Sequence, residues 1–322
     1  MRYKVLVTGL LVGAAVGIAV RRRQGEALGG HHGRRVPVET DDGVTIDVDV
    51  EQPDDPAYAV VFAHGWVLNR HSWTYQRESM PADQAMLVHY DQRGHGASTP
   101  GPPDACTIER LAQDLETVLD TVVPAGLPIV LVGHSMGGMT IMGLAARRPE
   151  LFGDRVVGVA LISTSSGRLA ESVIGRGAPV LLNRLRARAD LVDRSPALLR
   201  AGANWPVTRV TAFGPKARPH HVRFINRMAA STPTEVMVGF FHGLMAHDKL
   251  AALQVLNRVE TLVMVGERDR LTSPAHARRI ADALPGSRLV VVPGAGHMLG
   301  LERPEIVNNA LDGLLRRTGL KT

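Results

Sequence analysis

Six short runs of almost continuous apolar residues constrain the fold of this chain more than any other feature. They are Ala57–Ala63, Ala85–Asp91, Pro128–Val132, Arg155–Ser163, Thr261–Glu267 and Ser287–Pro293. Runs of this length and composition are typical of strands buried on both faces. Helical patterns separate several of them, for example IERLAQDLETVLDTV at Ile108–Val122. The alternation predicts an α/β fold with a mostly parallel sheet covered by helices on both faces.

The region before these runs has a different pattern. In Val44–Val50 (VTIDVDV) apolar and polar residues alternate, which predicts an edge strand with one face in water. Residues 24–39, which contain the pairs Gly29-Gly30 and His31-His32, are interpreted as a linker. Two adjacent histidines without a third ligand are more typical of a solvated loop than of a metal site.

One long interval, from Ser165 to Asn257, contains no convincing strand. It has helical patterns and many arginines, which we interpret as a solvated face. We expect residues 165–257, which we call the insertion, to form a helical cap over the carboxyl ends of the strands. Residues 40–164 and 258–322 would then form the core.

The composition argues against several classes of protein. A length of 322 residues with 45% hydrophobic content is ample for one large α/β domain with an insertion. The net charge of +6 comes almost wholly from arginine, and no nucleic-acid motif or interleaved aromatic residues accompany it. We therefore expect no nucleic-acid partner. The single cysteine, Cys106, excludes an internal disulfide and a cysteine-based metal site.

The amino terminus carries an uncharged segment, Val5–Val20, followed at once by Arg21–Arg23. As a helix it would be about 24 Å long, slightly shorter than a hydrocarbon core of about 30 Å. It also has glycines at four-residue spacing, which suit helix packing in membranes. We expect residues 1–23 to be a membrane anchor. The alternative is a signal peptide cleaved near Ala19, giving a secreted protein, although the three arginines argue against cleavage there. The arginine excess slightly favours a cytoplasmic location for the rest of the chain.

The stretch VGHSMGG at 132–138 places Ser135 between an apolar run and a helical pattern. This is the context in which a G-x-S-x-G serine is exposed on a tight strand-to-helix turn. Two other strand ends supply what a serine nucleophile needs, since Asp269 follows one run and His297 follows another. His297 would accept the hydroxyl proton, and Asp269 would orient the imidazole and stabilise its cation. This chemistry requires no metal or organic cofactor.

Other residues near these motifs are alternatives for the same roles. Glu267 could be the acid in place of Asp269, but it lies where the strand is still ending. Four further histidines lie near motifs and are interpreted as loop-holding residues rather than as the base: His64, His89, His95 and His134.

The order Ser135, Asp269, His297 resembles that of the α/β-hydrolase superfamily over about residues 40–318. The resemblance extends to four motifs at strand ends: H-G-W (His64–Trp66), D-Q-R-G-H-G-A-S (Asp91–Ser98), G-E-R-D (Gly266–Asp269) and G-A-G-H (Gly294–His297). It implies an α/β-hydrolase fold with a twisted sheet and a helical cap. It also implies an oxyanion hole formed by the backbone N–H groups of Trp66 and Met136.

The function implied is that of a serine hydrolase that cleaves a lipophilic carboxylic ester through an acyl-enzyme. The acyl-facing wall is expected from the stretch FFHGLMAHD, with the candidates Phe240, Phe241, Leu244 and Met245. An amide or thioester hydrolase, a cofactor-free haloperoxidase and a non-catalytic ligand-binding protein are the alternatives, because one fold serves all of them. The sequence leaves the acyl length and the oligomeric state open.

Overall fold

The computed structural model describes residues 28–30, 33–171, 186–187, 189–195 and 197–320. The expected anchor or signal segment, residues 1–23, lies outside the described residues, as do residues 24–27 and the pair His31-His32 of the expected linker. Among the residues described, no helix combines the length and the apolar character that crossing a bilayer requires.

Eight strands form one sheet. Their bounds are β1 Arg34–Glu39, β2 Thr45–Glu51, β3 Tyr58–Ala63, β4 Ala85–Tyr90, β5 Ile129–His134, β6 Val156–Ile162, β7 Glu260–Gly266 and β8 Arg288–Val292. The spatial order is β1-β2-β4-β3-β5-β6-β7-β8. Strands β3 to β8 pair in parallel, whereas β2 pairs antiparallel with both β1 and β4. The expectation of a mostly parallel α/β sheet is confirmed.

The helices follow the strands along the chain. They are α1 Thr74–Ser79, α2 Ile108–Val122, α3 Met136–Arg147, α4 Ala189–Arg194, α5 Ala197–Thr211, α6 Pro219–Ser231, α7 Thr234–Ala246, α8 Leu253–Leu256, α9 Pro274–Ala283, α10 Leu299–Glu302 and α11 Pro304–Arg317. Helix α2 has the bounds expected from the sequence. It begins where the side chain of Thr107 accepts a hydrogen bond from the N–H of Arg110, at 3.1 Å.

Alternate residues of the central strands enter two apolar cores, one on each face of the sheet. In β3, Ala59 and Val61 pack in the core that contains Leu115 of α2. Their neighbours Val60 and Phe62 pack in the core that contains Trp73 and residues of α11. The near-continuous apolar runs are therefore explained by burial on both sides.

The antiparallel edge of the sheet differs from the expectation. Residues 34–39, at the end of the expected linker, form β1 and cover the outer edge of β2. Strand β2 is therefore internal, and the side chains of Asp47 and Asp49 are buried. A buried carboxylate needs a partner, and here Asp47 lies 2.8 Å from Arg70 and Asp49 lies 2.9 Å from Arg77. These distant arginines cannot be recognised from the local alternation of residues.

The insertion lies between β6 and β7 and contains helices α4 to α8. Its two ends meet. The N–H of Lys249 donates to the carbonyl of Ser166 at 2.9 Å, and Gly167 faces Asp248 in an antiparallel bridge. The chain therefore enters and leaves the insertion at one place.

Candidate active site

Ser135 lies on the turn between β5 and α3, with φ 52° and ψ −116°. Positive φ is uncommon for a residue with a side chain, and it persists only where the surroundings enforce it. The Ser135 N–H donates to the carbonyl of Ile162 at 2.9 Å, and the hydroxyl of Thr164 donates to the Ser135 carbonyl at 2.7 Å. Both neighbours belong to β6 or its end, so the adjacent strand fixes the turn.

The glycines around Ser135 have a steric role. A Cβ on Gly133 would lie 2.6 Å from the backbone nitrogen of Gly138, and one on Gly137 would overlap the carbonyl of Ala63. The turn therefore packs directly on the backbone at the end of β3. A larger residue at either position would displace the serine from the strand ends.

Asp269 and His297, from the loops after β7 and β8, form a buried pair. His297 Nδ1 lies 2.9 Å from Asp269 Oδ2, and both side chains are almost fully buried. Asp269 also accepts hydrogen bonds from the N–H groups of Leu271 and Thr272, at 2.9 Å each. Burial alone would raise the pKa of Asp269, but His297 and these N–H donors bring it below its ordinary value. Asp269 can therefore remain an ionised carboxylate beside the imidazole of His297.

His297 lies beside the serine turn. His134, the residue before Ser135, has its Nε2 3.0 Å from the carbonyl of His297, and the two rings lie 4.8 Å apart between centroids. Within the described part of the chain, no hydrogen bond joins the Ser135 hydroxyl to His297. Contacts of this kind often tighten only when substrate binds.

The proposed oxyanion donors lie on either side of Ser135. Met136 is the first residue of α3, so its N–H has no partner within the helix. Trp66 follows Gly65, and a Cβ on Gly65 would lie 3.2 Å from the Ser135 Cβ. Among the described residues, neither the Met136 N–H nor the Trp66 N–H donates to a protein acceptor. Both donors are therefore available to a ligand.

A buried glutamine, which the sequence reasoning missed, holds the Trp66 loop. The Gln92 side chain donates to the His64 carbonyl at 2.6 Å, and its backbone N–H donates to His64 Nε2 at 2.9 Å. The Thr140 hydroxyl of α3 donates to Gln92 Oε1 at 2.8 Å. The three residues therefore link the Trp66 loop to the helix that starts at Met136. Only the position of Gln92 inside the D-Q-R-G motif signals this role.

The other four histidines near the motifs are all buried. Burial lowers the pKa of His64 to about 4 and of both His95 and His134 to about 3, and it lowers the pKa of His89 well below the ordinary range. His89 stacks on Phe62 with 4.4 Å between ring centroids. None of the four contacts Asp269 in the hydrogen bonds of the described residues.

Glu267, the alternative acid, does not face the histidine. Its carboxylate accepts the N–H of Gly294 at 3.0 Å, and its side chain is half exposed. The structure thus brings Asp269, and not Glu267, to His297. Thr272, which the sequence reasoning missed, adds a hydroxyl that donates to Asp269 Oδ2 at 3.0 Å.

Helix α7 of the insertion packs on both expected oxyanion residues, Trp66 and Met136. Phe240 and Leu244 are buried against Met136 and Met139, with Met245 packed at the edge of the same cluster. The ring of Phe241 lies 5.9 Å from that of Trp66 between centroids, and Trp66 Nε1 donates to the carbonyl of Met237 at 3.0 Å. The four expected wall residues therefore pack on the residues that flank Ser135, and their role as an acyl-facing wall stays a prediction.

Within the described residues, no three or more histidine, cysteine or carboxylate side chains are grouped so as to hold a metal ion. Cys106 is a free, buried thiol packed among apolar residues next to α7.

Comparisons with known proteins all point to one family. The model of the alpha/beta hydrolase family matches residues 60–310. A 3-oxoadipate enol-lactonase of Acinetobacter baylyi is 26% identical over 273 residues, which cover 83% of this chain and 91% of the relative. A monoacylglycerol lipase of Mycolicibacterium smegmatis is 28% identical over 268 residues, covering 79% of this chain and 86% of the relative.

Solved structures agree. A thermophilic esterase from Thermogutta terrifontis superposes with a TM-score of 0.69 at 28% identity, covering 89% of this chain and 99% of the esterase. These relatives are hydrolases, and the matched region spans the sheet and the loops that carry Ser135, Asp269 and His297. The chain belongs to the α/β hydrolase family.

Proposed function

We propose that this protein is a serine hydrolase that cleaves a carboxylic ester through an acyl-enzyme. Ser135 Oγ bonds to the ester carbonyl carbon while its proton passes to His297 Nε2. The carbonyl oxygen becomes an anion and accepts hydrogen bonds from the N–H groups of Trp66 and Met136. The carbon–oxygen bond to the alcohol then breaks, and the alcohol leaves with the proton from His297. Water repeats the sequence on the acyl group and releases the acid.

The observation that carries this proposal is the convergence of four loops, which follow β3, β5, β7 and β8, at one edge of the sheet. They carry the strained Ser135 turn, the buried Asp269–His297 pair and two backbone N–H groups that have no acceptor among the described residues. An acyl transfer needs each of these roles at one carbon atom. A ligand-binding protein would have no need of a buried carboxylate against an imidazole next to a serine on a strained turn.

An ester with an apolar acyl group suits the surroundings of Ser135. The insertion presents Phe240, Leu244 and Met245 to Met136 and Met139 of α3, so the side chains packed beside the site are apolar and adaptable. The names of the relatives, which include a lipase, an esterase and an enol-lactonase, support ester chemistry.

Covalent labelling tests the proposal. A fluorophosphonate probe should label Ser135, and the label should be absent in Ser135→Ala and present in Ser231→Ala, an exposed serine of α6. Hydrolysis of p-nitrophenyl esters of increasing acyl length would then define the substrate. An amide and a thioester of the same acyl groups separate the alternative reactions. An unlabelled wild-type enzyme, or hydrolysis by Ser135→Ala, would remove the serine mechanism.

We further propose that residues 1–23 attach the enzyme to a membrane, which would raise the local concentration of a lipophilic ester. The support is the uncharged run Val5–Val20 and the arginines that follow it. The full-length protein should pellet with membranes and resist high-salt extraction, and deletion of residues 1–23 should release it. Recovery of a soluble protein that begins near Val20 would establish signal cleavage instead.

A further inference from the structure

Glu302, at the end of α10, binds two segments at once. Its Oε1 accepts the N–H of Gly296 at 2.8 Å, and its Oε2 accepts the N–H of Gly214 at 2.8 Å. Gly296 immediately precedes His297, whereas Gly214 belongs to the insertion, just after α5. One carboxylate therefore joins the insertion to the loop of the proposed catalytic base.

The same two segments are also joined directly. The carbonyl of Ala212 accepts the N–H groups of both His297 and Met298, at 3.0 Å each. A Cβ on Gly214 would lie 3.1 Å from the nitrogen of Gly296 and 3.0 Å from Glu302 Oε2. The backbones are thus in close contact, and the acceptors for three consecutive N–H groups of the histidine loop come from Glu302 and Ala212.

The position of the His297 imidazole depends on these hydrogen bonds. The Asp269 contact fixes one ring nitrogen of His297, and His134 Nε2 binds its carbonyl, but the acceptors of the backbone N–H groups around the ring are Ala212 and Glu302. Proton transfer is sensitive to displacements of about 1 Å, which can change rates by about 100-fold. A shift of the insertion away from the sheet would remove the acceptor of the His297 N–H and part of the Glu302 contact.

We propose that Glu302 is a positioning residue that couples the insertion to His297, so that the histidine is aligned only while residues 212–214 are docked on its loop. The inference rests on the proposed function, because it assigns His297 as the base. It adds that closure of the insertion completes the catalytic arrangement. An open enzyme would bind substrate without hydrolysing it.

The first test is Glu302→Gln in the full-length enzyme. The amide offers one oxygen and one NH₂ group, so one of the two glycine N–H groups faces a donor instead of an acceptor. We expect kcat to fall about 10- to 100-fold while KM for a short ester changes less than about three-fold. Glu305→Gln, which alters an exposed glutamate of α11 three residues away, is the matched control and should be unchanged.

Hydrogen exchange supplies a readout that does not depend on turnover. Peptides that span residues 212–217 and 294–299 should exchange faster in Glu302→Gln than in the wild type or in Glu305→Gln. Gly214→Ala disturbs the same contact from the insertion side. It should show the same fall in kcat and the same faster exchange, and it replaces Glu302→Gln in the test if that variant folds poorly. The double variant should be little worse than either single variant, because both act through one contact.

The outcomes separate the possible failures. Unchanged exchange in both variants would overturn the coupling whatever the activity. Faster exchange with an unchanged kcat per labelled active site would show that Glu302 only stabilises the fold, which overturns the positioning role. A wild-type protein that hydrolyses no ester but shows faster exchange in Glu302→Gln would refute the proposed function and leave a structural contact.

Discussion

The backbone of Ser135 is held in a conformation that its side chain disfavours, and three neighbours keep it there. The Ile162 carbonyl accepts its N–H, the Thr164 hydroxyl donates to its carbonyl, and the Gly138 N–H donates to the same carbonyl. Strain of this kind is typical of functional residues and costs about 1–3 kcal/mol. The folded protein therefore contains a turn at Ser135 that is less stable than an unstrained one.

This strain predicts a difference between two inactive variants. Ser135→Ala keeps a Cβ at φ 52°, whereas Ser135→Gly removes it. Both should abolish turnover, but we expect the glycine variant to be more stable than the alanine variant by about 1 kcal/mol, measured by urea unfolding. The expected difference is smaller than the strain because glycine also gains entropy in the unfolded chain. Equal stability would mean that the turn stores no strain.

Substitutions at Asp269 and Glu267 test which of the two carboxylates is the acid that orients His297. Asp269→Asn should lower kcat by about 1000-fold or more, because an amide no longer favours the tautomer in which His297 accepts the serine proton. Glu267→Gln should change kcat by less than about two-fold, since that side chain binds Gly294 and not His297. Steady-state kinetics on one ester decide the question. The reverse ranking would assign the acid role to Glu267.

At the scale of elements, the sequence was informative wherever a pattern was local. The parallel strands show as apolar runs, and α2 has an N-cap and a regular apolar stripe within its own fifteen residues. Strand β2 was misjudged because its burial depends on β1 and on Arg70 and Arg77, which lie beyond any local window. The link from Glu302 to Gly214 was missed for the same reason, since 88 positions separate its partners.

The buried ion pairs of β2 predict a large stability effect. Asp49→Asn keeps the shape of the side chain but removes the charge that faces Arg77 at 2.9 Å. We expect a loss of about 2 kcal/mol in unfolding free energy, because the buried Arg77 loses Asp49 and still pairs with the more exposed Glu51. Glu260→Gln breaks the partly exposed pair with Arg317 and should lose less than about 1 kcal/mol. Similar losses in the two variants would contradict this assignment.

Helix α7 predicts how acyl-length preference can be changed. Phe240 and Phe241 are almost fully buried, so their truncation would cost about 3–5 kcal/mol and confuse specificity with folding. Met245 is only half-buried at the edge of the cluster, and Met245→Ala should open space for a longer acyl chain. We expect kcat/KM for long relative to short esters to rise about 10-fold. His242→Ala, on the exposed face of the helix, should leave this ratio unchanged.

For the whole molecule, buried histidines set the stability at acidic pH. Burial lowers the pKa to about 4 for His64, His221 and His247, and to about 3 for His95 and His134. Below pH 6.5, the ordinary histidine pKa, these histidines become protonated in the unfolded chain but stay neutral in the folded protein. The stabilisation is therefore complete above pH 6.5 and is lost as the pH falls from 6.5 toward 4.

The expected slope can be measured. Each such histidine contributes up to about 1.4 kcal/mol per pH unit in this window, so several together should make unfolding steeply acid-dependent. Urea midpoints at pH 7.5, 6.5, 5.5 and 5 should be similar at the first two values and fall sharply at the others. His221→Gln, which removes one of the buried histidines from α6, should make the fall less steep. A constant midpoint down to pH 5 would contradict the buried, neutral histidines.

Because the two ends of the insertion meet, a change in its length should cost little folding free energy. Strands β6 and β7 pair from Gly158 and Glu260 onward regardless of what joins them, and each doubling of a flexible connection costs only about 0.6 kcal/mol. The segment between Gly167 and Asp248 can therefore be exchanged as a cassette with that of another family member, giving a chimaera with a new substrate range on the same sheet. Such a graft succeeds only if its own backbone offers acceptors to the N–H groups of His297 and Met298 in place of Ala212.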